Sequence, residues 1–128
     1  PEKTVVAIIG DGGFQMTLQE LGTILQSKVD IKIIILNNRF LGMVRQWQQL
    51  FFEKRYSFTE MISPDFVALS KAYSIEAKKV EAREDLKTSL LEMLNHQGSY
   101  LLEVMVAKEE NVFPMITTGA SVSEIRLN

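Results

Sequence analysis

One carboxylate and a pair of amides are the residues best suited to hold a metal ion against a phosphate. Asp11 stands in the run Gly10-Asp11-Gly12-Gly13, and Asn37-Asn38 ends the next apolar segment, with residues 13–36 between the two groups. Carboxylate and amide oxygens are hard donors, the type that Mg2+ takes, and Mg2+ uses few protein ligands and leaves its other positions to phosphate and water. Gly10, Gly12 and Gly13 let backbone amides approach an anion closely, and a helix start behind them adds the positive end of a dipole.

Two strands and a helix must position these groups. Thr4 to Ile9 is β-branched and almost wholly apolar, as expected of a strand covered on both faces of a parallel sheet. Thr17 with Glu20 forms a capping-box pattern, and Leu18, Leu21, Gly22 and Leu25 repeat at helical spacing, so a helix is expected from about residue 18 to residue 27. Ile31 to Leu36 is the second buried strand. A right-handed strand-helix-strand unit makes the strands parallel, so Asp11 and Asn38 are expected at one rim of the sheet.

Further along, Phe40 to Phe52 carries Val44, Trp47, Gln48 and Phe51 on one helical face, and Lys54 to Met61 has no clear period and is expected to be a mobile loop. Ser63-Pro64-Asp65 has the order of a helix start, with Ser63 as cap, and Phe66, Leu69, Ser70 and Tyr73 continue it. Ile75 to Val80 is a weaker strand in which Lys78-Lys79 gives a polar face. Arg83 to Gln97 is a helix with Leu86, Leu90, Leu91 and Leu94, stopped by Gly98, and Tyr100 to Ala107 is the last strand. The order of elements is that of an α/β fold with a mainly parallel sheet and helices on both faces; the strand order stays open. Residues 1–107 are expected to form the domain, truncated at its N-terminus, and 108–128 a C-terminal tail that needs a surface to lie on.

Composition bounds the rest. The 128 residues and 46% hydrophobic content suit one domain with one core, and the net charge of −2 gives no reason to expect nucleic acid or an anionic membrane surface. Without cysteine there is no disulfide framework, thiolate metal site or cysteine nucleophile, which is compatible with the cytoplasmic location we expect. No apolar run approaches the roughly 18 to 20 residues of a membrane span. The chain starts on Pro1 and enters a strand at once, so we read it as a piece of something longer. His96, the single histidine, is expected as a solvated residue at a helix end rather than a catalyst, and the Glu53-Lys54-Arg55 cluster as solvated loop.

Gly10-Asp11-Gly12 followed by Asn37-Asn38 resembles the cofactor motif of thiamine-diphosphate enzymes, and Leu41-Gly42-Met43-Val44-Arg45-Gln46-Trp47-Gln48 is similar to acetolactate synthase (acetohydroxyacid synthase) large subunits, the resemblance running along the whole chain. It implies a C-terminal diphosphate-binding domain with Mg2+ held by Asp11, Asn38 and the carbonyl of Phe40, while Asn37 fixes the turn. Amides of Gly12, Gly13, Phe14, Gly42 and Met43 would face the phosphates, Met43 would lie beside the cofactor, and Trp47 would contact the second 2-ketoacid. Without the neighbouring string, Trp47 on an amphipathic helix would be read as core.

The implied enzyme, a transferase/lyase of isoleucine and valine biosynthesis, decarboxylates pyruvate and condenses the product with a second pyruvate or with 2-ketobutyrate. It would be a homodimer or higher oligomer, with a regulatory small subunit as a further partner and FAD in a middle domain absent from this sequence. The glutamate that such enzymes use to protonate the cofactor lies in another domain, so no catalytic residue is expected here and the isolated chain is expected to be inactive. The alternatives are another thiamine enzyme, such as glyoxylate carboligase or pyruvate oxidase, a Rossmann nucleotide-binding module, or a non-catalytic module. A Rossmann fingerprint predicts Gly where Gln15 stands and an acid where Asn37-Asn38 stands.

Overall fold

The computed structural model describes residues 3–128. Four strands, β1 (Val6–Gly10), β2 (Lys32–Asn37), β3 (Glu76–Val80) and β4 (Tyr100–Met105), form one sheet in the order β1-β2-β4-β3 with every pairing parallel. Five helices connect and follow them: α1 (Asp11–Thr17), α2 (Glu20–Ser27), α3 (Gly42–Phe51), α4 (Phe66–Ala72) and α5 (Leu86–Asn95), the last entered through a 3-10 turn at Arg83–Asp85.

The alternation of side chains sorts the apolar residues into two cores. On one face Ile33, Ile35, Ala77 and Leu101 meet Phe14 of α1, Leu21 of α2 and Phe66 of α4. The Phe14 and Phe66 rings stand edge to face at 5.4 Å. On the other face Val80, Tyr100, Leu102 and Val104 pack against Met93 of α5. That second layer covers only part of the sheet, and Val6, Ile8 and Leu36 stay 40%, 66% and 40% exposed.

Several local expectations are corrected. The glycine run is no free turn, because α1 starts at Asp11 itself and takes Gly12 and Gly13 into its first turn. The capping box at Thr17 and Glu20 does not form: α2 starts after Gln19 without a side-chain cap, and Leu25 points outward while Ile24 packs on the core. In α5 the same substitution of neighbours occurs, with Met93 buried and Leu91 and Leu94 exposed. Asp65, not Ser63, caps α4, its Oδ1 accepting from the Ala68 amide at 2.9 Å. The segment from Lys54 to Met61 is anchored at Ser57 and Thr59. Gln48 bonds both the amide and the carbonyl of Ser57, at 3.0 Å each, and the Leu41 amide donates to the carbonyl of the buried Thr59.

Polar groups close the N-terminal end of the sheet. Lys32, which begins β2 and is only 2% exposed, extends its Nζ to Asp30 at 2.8 Å, to the His96 carbonyl at 3.0 Å and to the Gly98 carbonyl. That bond from Lys32 holds the Asp30 carboxyl below the usual carboxylate range. His96 sits at the end of α5 as expected, its ring edge on Tyr100 at 5.2 Å. Burial, and next to it the Glu92 carboxylate, pushes the Tyr100 phenol up to about 12, so it stays a neutral donor.

Residues past β4 fold back over α3. The buried Gln46 amide takes the Val112 backbone at two points, accepting from its N–H at 2.8 Å and donating to its carbonyl at 3.0 Å, and Arg45 pairs with Glu109 at 2.8 Å. Met115 and Arg126 then form an antiparallel bridge. No helix among the described residues is long and apolar enough to cross a membrane.

Phe66, with no exposed surface, should cost about 3–5 kcal/mol when truncated to Ala, since the cavity adds to the lost transfer energy. Phe58→Ala, at a ring 99% exposed, should stay within about 0.5 kcal/mol. Urea unfolding of the two variants side by side checks this.

Candidate functional site at the carboxyl rim

Parallel pairing in register is what brings the predicted residues together. Gly10 lies opposite Leu36, so Asp11, one residue beyond β1, stands level with Asn37, and Asn38 follows at the next position of the rim. Asp11 is 1% exposed, which for a carboxylate calls for partners. One is present: Ser63 Oγ donates to Asp11 Oδ2 at 3.2 Å. Sequence reasoning spent Ser63 on capping a helix and missed this contact.

The two amides have different tasks. Asn37, 2% exposed, donates from Nδ2 to Glu103 Oε1 at 2.7 Å and accepts the Arg39 N–H on Oδ1 at 3.1 Å. Asn38 is half-buried, and its Oδ1 accepts from the Phe40 N–H at 3.0 Å. These are two successive Asx turns, and they carry the chain through Arg39, whose φ is 59°. Phe40 then bridges Glu60, flanked by the bonds from Met61 N to Arg39 O and from Leu41 N to Thr59 O, both 2.8 Å. Those bonds leave the Phe40 carbonyl outside the pairing.

Two helices begin at this rim without a side-chain cap. Gly10 precedes α1 and Leu41 precedes α3, and neither offers a side-chain acceptor, so the first-turn N–H groups of Gly12, Gly13, Gly42 and Met43 are donors in want of an anion, whereas Phe14, four residues past Gly10, has its N–H within the helix ladder, as Arg45 has four residues past Leu41. Two glycines set the clearance. A Cβ on Gly12 would lie 2.8 Å from Leu41 Cδ2 and 3.1 Å from Met61 Sδ, and one on Gly42 would lie 3.2 Å from Asn38 Nδ2. A side chain at Gly12 would press on those of Leu41 and Met61, and one at Gly42 on the Asn38 amide. Buried hard oxygens, unpaired amide donors and this clearance together fit a metal bound to a diphosphate.

The face of α3 departs from expectation. Its polar residues Arg45 and Gln46 are buried, while Met43 and Val44 are half exposed and Phe51 is 41% exposed. Trp47 is only partly buried and lies outside both cores: its ring is tilted against that of Phe51 with centroids 4.8 Å apart, and with Val44, Gln48, Phe52 and Arg55 it lines an open cavity of about 420 Å³. Among the described residues no cluster of three or more His, Cys, Asp or Glu is placed to hold a metal, so a metal here would rest on one carboxylate with neutral oxygens.

Sequence reasoning also missed Glu103. A lone carboxylate within Tyr100-Leu101-Leu102-Glu103-Val104-Met105 was the available signal, because a charge on a buried strand needs a partner.

The chain is 47% identical over 126 residues to an acetolactate synthase isozyme 2 large subunit of Escherichia coli, covering 98% of this chain and 23% of that protein. It is 45% identical over 127 residues to the large subunit from Cyanidium caldarium, covering 98% and 22%. It is 45% identical over 128 residues to a mitochondrial acetolactate synthase of Schizosaccharomyces pombe, covering 100% and 19%. The chain thus spans about a fifth of the length of these relatives. Among solved structures, a thiamine diphosphate-dependent 4-hydroxybenzoylformate decarboxylase of Rhodococcus jostii superposes with a TM-score of 0.79 at 28% identity, over 87% of this chain and 21% of that one. A benzoylformate decarboxylase of Polynucleobacter necessarius gives 0.77 at 31%, over 86% and 21%. Residues 1–104 match the family model described as thiamine pyrophosphate enzyme, C-terminal TPP binding domain, and the chain belongs to that family.

Proposed function

We propose that this chain is the part of an acetolactate synthase that anchors Mg2+ and the diphosphate of thiamine diphosphate, for decarboxylation of pyruvate and condensation with a second 2-ketoacid. The observation that carries the anchoring role is the convergence of Asp11, Asn38 and two uncapped helix starts at one rim. The similarity to acetolactate synthase large subunits supports the choice of reaction. The whole enzyme would add FAD, a second subunit contributing the proton-donating glutamate, and a regulatory subunit.

In this reading Asp11 Oδ1 or Oδ2, Asn38 Oδ1 and the Phe40 carbonyl hold the ion. The amides of Gly12, Gly13, Gly42 and Met43 would donate to phosphate oxygens, with Gly10 giving the approach. When bound, thiamine diphosphate supplies the electron sink for decarboxylation. The protein's own contribution here is orientation: Ser63 holds the Asp11 carboxylate, and the Asx turns hold Asn38 and Phe40. Trp47, with its ring open to the cavity on α3, would meet the acceptor ketoacid.

The isolated chain should form no acetolactate from pyruvate with Mg2+ and thiamine diphosphate, since the proton-donating glutamate is missing. Product at a rate unchanged by any added domain would contradict this. In the full-length enzyme Asp11→Ala should weaken Mg2+ and cofactor binding together, and Asn38→Ala should do so less, because an amide oxygen is neutral. Calorimetry at fixed Mg2+ is the check, and unchanged cofactor affinity in Asp11→Ala would move the metal elsewhere. Trp47→Leu should change the ratio of acetohydroxybutyrate to acetolactate in a competition of the two ketoacids. One methylene against a hydrophobic wall is worth about 1–3 kcal/mol, or roughly 10- to 200-fold.

A further inference from the structure

Glu103 takes no part in the site as described, yet it is 4% exposed on a central strand and its bond to Asn37 is among the shortest in the molecule. It faces the same side of the sheet as Asn37, since it pairs with Ile35 in register and Asn37 lies two residues further along β2. A carboxylate only accepts, so it decides which end of the Asn37 amide turns toward it. Nδ2 must face Glu103, and Oδ1 is thereby turned to the Arg39 N–H, closing the first of the two turns. That turn sets the left-handed Arg39 and, through it, the second turn in which Asn38 and Phe40 meet.

We infer that Glu103 is a positioning residue for the metal-diphosphate site, acting through the Asn37 amide on Asn38 and the Phe40 carbonyl. The inference rests on the metal role proposed above for Asp11, Asn38 and Phe40. A flipped Asn37 would place its NH2 against the Arg39 N–H, donor against donor, and the turn would open. In this role Glu103 acts through the Asn37 amide and not as a metal ligand. Its effect is therefore on affinity for the metal, and it disappears when Asn37 is gone. Partners of this kind behind metal ligands typically carry about 10- to 100-fold in metal affinity.

The test is Mn2+ binding to the full-length enzyme at saturating thiamine diphosphate, read as free Mn2+ by electron paramagnetic resonance, with thermal unfolding of each variant alongside. Glu103→Gln keeps an acceptor of the same length and should stay within about threefold of wild type, while Glu103→Asp, which withdraws the carboxylate by one methylene, should weaken Mn2+ by about tenfold or more. In an Asn37→Ala background Glu103→Asp should have no further effect. Asp11→Ala separates the two claims: if it leaves Mn2+ binding unchanged, the metal reading itself fails. If Asp11→Ala abolishes binding while Glu103→Asp binds as wild type, or if the Glu103→Asp loss persists in full without Asn37, the positioning role is overturned and the metal site stands.

Discussion

The parallel pairing of β1 with β2 is the constraint on which the rest depends. Its register, Gly10 against Leu36, decides that the residue after one strand and the residues ending the other emerge side by side. A slip of one residue would turn Ile33 and Ile35 out of the core and Asn37 with them, since side chains alternate with a period of two. Burial of those two isoleucines therefore does more than stabilise. The same apolar contacts that fix the register fix the separation of Asp11 from the two amides, so core packing and site geometry are one specification.

The polar groups at that rim are arranged so that each has a partner. Asp11 has Ser63, Asn37 has Glu103 and the Arg39 amide, and Asn38 has the Phe40 amide. Buried polar atoms cost free energy when left unpaired, so a connected set of this kind resists rearrangement before any ligand arrives. The donors left over are backbone N–H groups at two helix starts, and those point outward to the space where an anion would sit.

Much of the fold was legible in the sequence because apolar strands and the helices between them announce themselves by period. All four strands were expected close to where they stand, and so was the common rim of Asp11 and Asn38. Misplaced details share one cause. Propensity and capping patterns describe an isolated segment, whereas Ser63 was claimed by Asp11, Leu25 and Leu94 yielded their inward places to Ile24 and Met93, and the polar residues of α3 were drawn inward by residues 109–112. The strand order and the bond from Glu103 to Asn37 join residues far apart in the chain, and local patterns carry no information about such pairs. Recognition of the cofactor motif rests on resemblance, because a Gly-Asp-Gly run by itself suits a structural turn equally well.

The uneven covering of the sheet has a consequence for how the chain behaves as a substance. One face carries the larger core, while on the other Val6 and Ile8 of β1 and Leu36 of β2 stand open, and β1 is an edge strand of the described sheet. Apolar area that is dry only when something lies on it makes folding a mass-action equilibrium with whatever supplies the cover. A covering segment joined covalently acts at an effective concentration in the millimolar range, whereas a separate molecule must reach its own dissociation constant. Anything that binds this face would raise the melting temperature of the 128 residues by an amount set by its concentration.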